Sequence, residues 1–95
     1  MQFNPPVINA ICEAAEFFRK DCYNPLDPES VALCSKIDRF VLNLSAHKLT
    51  GLTLGELQNC CIFLTFFIEN APACKVSSVH HFALAQLSEI LNTLP

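Results

Sequence analysis

Apolar residues recur every three or four positions over four stretches of this chain, separated by breaks at Tyr23-Asn24-Pro25, around Gly51 and at Asn70-Ala71-Pro72. That rhythm predicts four helices. In the first, Ile8, Ile11, Ala15, Phe18 and Cys22 make one seam. Asn4 suits the N-cap, and Pro5-Pro6 suit a first turn whose N–H groups have no intrahelical partner. Glu16 and Lys20 are ordered for an i,i+4 ion pair away from the seam, and Tyr23-Asn24-Pro25 ends the helix. Asp27-Pro28-Glu29 starts the second by the same logic, with Leu33, Ile37, Phe40/Val41 and Leu44 as its seam. His47 and Lys48 suit the negative end of its dipole, and Gly51 the position just beyond. So little chain separates the two helices that an antiparallel hairpin is expected.

The third stretch, Leu54–Ile68, reads LGELQNCCIFLTFFI; ten of its fifteen residues are apolar, and the run from Cys60 is interrupted only by Thr65. Thr53 and Glu56 stand at capping-box spacing, which favours a helix over a buried strand. A helix this apolar nearly all round needs other helices around it. Asn70-Ala71-Pro72 breaks the chain again. Ser77 or Ser78 then caps a last helix with Val79, Ala83, Leu87, Ile90 and Leu94 on its seam, widened by Leu84 and Leu91. The expected architecture is all-α: a compact bundle of four short helices in one domain over residues 1–95. Its first two helices form a hairpin, and the third is central and buried.

Composition adds association to this picture. The chain has 95 residues, 52% apolar and only 16% charged, where an ordinary domain carries about 25% charged residues. So little charge favours self-association, and a homodimer is expected with Phe66 and Phe67 at its interface. The net charge of −3 and the lack of any basic cluster longer than Arg19-Lys20 argue against a nucleic-acid partner. No apolar run approaches the ~20 residues of a membrane-spanning helix. The start MQFNPPVINA has no cationic segment and no cleavable apolar core, so no secretory signal is expected. A cytoplasmic location follows, with the six cysteines as reduced thiols.

Cysteine and histidine invite a metal reading, but no C-x-x-C or H-x-x-x-H occurs. Adjacent pairs such as Cys60-Cys61 and His80-His81 diverge by about 100° on a helix. No metal site and no cofactor are expected. Cys74, beside Lys75 and ahead of His80-His81, is the one candidate reactive thiol, and both histidines read as surface residues of a first turn. Two glycines, Gly51 and Gly55, exclude a glycine-rich phosphate loop.

On the polar face of the second helix, Ser35, Asp38 and Arg39 form a compact patch with Lys36. The segment Leu26–Leu44, LDPESVALCSKIDRFVLNL, resembles the second helix of the small aspartyl-phosphate phosphatases that regulate sporulation in Gram-positive bacteria. In that family an Asp-Pro-Glu start leads into a Ser-Gln-Glu-Leu-Asp signature followed by a basic residue. Asp27, Pro28 and Glu29 match the start, Ile37 stands for the leucine, Asp38 is the aspartate and Arg39 the basic residue. Cys34, Ser35 and Lys36 replace the other three signature residues. The resemblance implies a response-regulator partner, with Asp38 as the residue that helps hydrolyse its phosphorylated aspartate. From the residues themselves, the expected function is a non-enzymatic, self-associating interaction or regulatory module. It would contact a protein partner through the Ser35/Asp38/Arg39 face or an apolar groove near the third and fourth helices. A thiol or metal-binding protein is the remaining alternative.

Overall fold

The computed structural model describes residues 4–45 and 53–93. It contains α1 (Pro5–Cys22), α2 (Pro28–Ser45), α3 (Leu54–Asn70) and α4 (Ser78–Thr93), with a single 3₁₀ turn at Ala73–Lys75 before α4. His47, Lys48, Gly51 and Leu94 lie outside the described residues. The radius of gyration is 13.2 Å, close to the ~12–13 Å of a compact chain of this length.

Local chemistry sets the boundaries. Asn4 occupies the N-cap of α1, yet its side chain makes no cap bond. Pro5 and Pro6 have no N–H to offer it, and Val7 N–H donates instead to the Asn4 backbone carbonyl at 2.9 Å. The hairpin turn is tied by Ser30, whose Oγ accepts from Asn24 N–H at 2.8 Å and donates to the Cys22 carbonyl at 2.6 Å. Asp27 Oδ1 accepts from Glu29 N–H at 3.0 Å and caps α2. Both halves of the α3 capping box form: Glu56 N–H donates to Thr53 Oγ1 at 3.1 Å, and Thr53 N–H to Glu56 Oε1 at 2.9 Å.

α1 packs against all three other helices, α3 and α4 pack against each other as well, and α2 approaches only α1 closely. The bundle is therefore a tight trio of α1, α3 and α4 with α2 laid along the outside of α1. On α1, Val7, Ile8, Ala10, Ile11, Ala14 and Ala15 are all buried. The three alanines let neighbouring helix axes come close. α3 is wedged between α1 and α4 and supplies several of the most enclosed side chains, Cys60, Leu64 and Phe67. It is not enclosed all round, however: Leu54, Gln58, Ile62, Thr65 and Glu69 form an exposed flank.

The α2 seam follows the expected one at Ile37 and Leu44 and departs from it at its first position. Cys34, Ile37 and Leu44 are buried, whereas Leu33 is 42% exposed. Cys34 Sγ reaches the Arg19 carbonyl at 3.7 Å, so the small thiol sits where the two helices approach and the larger leucine is turned aside.

Gly55 lies in the first turn of α3, and a Cβ added there meets nothing within 4 Å. Gly55→Ala is expected to raise stability by about 0.5 kcal/mol through lower unfolded-state entropy. Urea denaturation checks this as a higher midpoint with an unchanged slope.

Candidate interaction surface

Because α1 is the one described helix that α2 approaches closely, a groove is left on each side of α2. The groove toward α3 has a volume of about 370 Å³, with Leu33, Ile37 and Phe40 on one wall, Ile62 and Phe63 on the other, and Phe18 contributing from α1. Lys36, Glu56 and Asn59 bring polar groups to it. Leu33 and Ile62, the latter 53% exposed, are the apolar residues most open to water here. This groove lies between the second and third helices. Its signal in the sequence was the width of the α2 stripe, which includes Leu33 and Phe40 beside the seam that α1 covers.

The polar patch on α2 divides into parts. Ser35, Asp38 and Arg39 are all exposed, but Asp38 Oδ1 accepts a hydrogen bond from Arg19 Nε at 2.8 Å. This bond raises the Arg19 pKa further above its ordinary value, and the guanidinium also lies 5.4 Å over the Tyr23 ring. Asp38 therefore joins α2 to α1 and is engaged before any partner arrives. On α3, Phe67 is 1% exposed and packs edge-on to Phe17, so it belongs to the chain's own core and offers no surface to a second copy. Phe66 is half-buried, its ring against Phe17 and Phe18.

On the other side of α2, toward α4, a shallow depression of about 520 Å³ is bordered by Cys12, Glu13, Glu16, Ser77 and His80. Here the surface reading of His80 is corrected: it is 4% exposed and stacks on Phe67 with ring centroids 4.5 Å apart. Ser77 N–H donates to His80 Nδ1 at 3.0 Å, and Ser77 Oγ is 3.1 Å from the same nitrogen. Nδ1 is thus an acceptor, and Nε2 directs its proton to Glu13 Oε1 at 2.7 Å. The histidine fills the place that glutamate takes in a capping box. This serine–histidine–carboxylate chain resembles a nucleophile triad, but the Nδ1 lone pair is already shared with a backbone N–H. Its chemistry is to fasten α4 to α1. The spacing His80, Ala83, Leu87 places the ring on the inward seam, and Ser77-x-x-His80 has capping-box spacing. Those two signals together could have located it.

The thiols are governed by burial. Burial pushes the Cys60 pKa from its ordinary 9.0 up to about 12, helped by the nearby Cys61 and Glu56. Cys12, Cys22 and Cys61 are raised too, chiefly by desolvation, with the Ser88 hydroxyl opposing the effect at Cys61. Cys74 is exposed on the 3₁₀ turn. Both nitrogens of His80 are engaged elsewhere, so that ring is not free to act as its base. Among the described residues, no group of three or more His, Cys, Asp or Glu side chains is placed to hold a metal ion, and no helix is long and apolar enough to cross a membrane.

No family model, no curated protein and no solved structure matches this chain. The likeness of Leu26–Leu44 to the aspartyl-phosphate phosphatases rests on those residues alone.

Four outcomes follow from this geometry. His80→Ala leaves the Ser77 N–H without its partner and is expected to cost about 1–3 kcal/mol in urea denaturation. Glu13→Gln keeps an acceptor for Nε2–H and is expected to cost under about 1 kcal/mol. At pH 8, thiol titration is expected to consume Cys74 first and to reach Cys34 and Cys60 only on unfolding. A thiol whose pKa is higher in the folded chain favours folding while both states are protonated. The Cys60 contribution is therefore full below pH 9.0 and lost as pH rises toward about 12; stability should fall across that window.

Proposed function

We propose that this chain is a small, self-associating, non-enzymatic interaction or regulatory module that receives a helix of a partner chain in the groove between α2 and α3. One observation supports this reading: two apolar walls, Leu33/Ile37/Phe40 and Ile62/Phe63, face each other across a space that the described helices leave open. Helix-in-groove recognition uses such walls, with apolar anchors spaced along one face of the incoming helix. The unpaired thiols fit a reducing, cytoplasmic setting.

The response-regulator reading would act through Asp38. Its carboxylate is held by Arg19 at 2.8 Å, and Ser35 and Lys36 stand where the family has glutamine and glutamate. Regulators charged with acetyl phosphate are expected to lose phosphate no faster when the protein is added. Acceleration that disappears in Asp38→Ala would reverse that choice.

The groove reading is tested by fluorescence titration with amphipathic helical peptides bearing an apolar stripe and acidic flanks. Binding stronger than that of stripe-scrambled controls is expected, weakened about tenfold or more by Leu33→Asp, with thermal stability retained because Leu33 is partly exposed. Equal binding of scrambled peptides, or indifference to Leu33→Asp, would overturn it.

A further inference from the structure

We infer that the occupant of the groove is α3 of a second copy of this chain. The outward flank of α3 and the groove are neighbours on one surface, and Ile62 belongs to both. It forms part of the groove wall facing α2, and on its other side it borders a shallow concavity with Cys61, Thr65, Phe66 and Glu69. A ridge beside a groove of matching character is what a two-fold interface requires, since each copy then gives its ridge and receives its partner's. The symmetry axis falls near Ile62, where a residue meets its own copy and the two α3 helices run antiparallel.

Charge selects the same occupant. Within its described residues α3 carries only acidic charges, Glu56 and Glu69. Glu56 is taken up by the Thr53 N–H of its own capping box, leaving Glu69 exposed on the ridge. Across the groove, α2 presents Lys36, and among the described residues the two ion pairs are Arg19–Asp38 and His80–Glu13, neither of which uses Lys36. An antiparallel α3 centred on Ile62 brings Glu69 of each copy toward Lys36 of the other. Leu54 and Ile62, the exposed large apolar residues of the same helix, supply the anchors. The partner helix also gives α2 a second helix to pack on beside α1, the one described helix it approaches closely.

This identification of the occupant rests on the groove's being a docking site, and the experiment separates the two. Sedimentation velocity over a concentration series is expected to show the wild type at twice the chain mass. Ile62→Glu should sediment as a folded monomer with a cooperative melting transition, since the side chain is 53% exposed within one chain, its midpoint lower than the wild type's and no longer dependent on concentration because dimerisation no longer adds to stability. Lys36→Glu and Glu69→Lys are each expected to weaken dimerisation about tenfold at low salt, and the double variant to restore it to within about threefold of wild type. A wild type that stays monomeric overturns the second-copy assignment. If such a monomer still binds the acidic helical peptides through Leu33, the docking groove stands and only its occupant changes. A dimer that survives Ile62→Glu, or single charge reversals that the double variant fails to rescue, also overturns the assignment.

Discussion

Three helices share one neighbour, and the alanines of α1 make this possible. Ala10, Ala14 and Ala15 are buried among Val7, Ile8 and Ile11, so nearly half the circumference of α1 is given to contact. With larger residues there, the axes of α2, α3 and α4 would be held apart and the core between them would lose the close packing that interiors need. Aromatic rings fill the wider space further along: Phe17 and Phe18 of α1 engage Phe63, Phe66 and Phe67 of α3.

That arrangement also creates the surface of interest. The faces of α1 used by α3 and α4 leave α2 a place along its outside only. α2 cannot also reach α3, so the apolar width of its stripe goes uncovered and Leu33 and Phe40 face the groove. Polar links offset the thin support: Ser30 ties the turn and Arg19 holds Asp38 across the hairpin. The residue that resembles a family's functional aspartate is, in this chain, part of what keeps α2 in place.

The buried histidine follows a related economy. A neutral imidazole can accept through one nitrogen and donate through the other, and His80 uses both, receiving the N–H of Ser77 and reaching Glu13 of α1. Its ring meanwhile stacks on Phe67. One side chain thus closes the first turn of α4 and fastens that helix to α1, at a point where an aliphatic residue would leave Ser77 N–H without this acceptor.

By itself the sequence determined the elements and their ends: the prolines at Pro5, Pro6 and Pro28, the Asp27 cap, the Thr53/Glu56 box and the break at Pro72 act within a few residues, so they can be read locally. The periodicity of α1 and α4 likewise identified which faces turn inward. What only the tertiary structure decided was who covers whom. The turning of Leu33 outward and Cys34 inward, the withdrawal of Phe67 into the core, the pairing of His80 with Glu13 and the engagement of Asp38 all depend on residues far away in the chain. Helical period specifies a face to within about one residue, or 100° of rotation. The choice between neighbouring residues on that face is made by the partner helix, through the space its side chains leave.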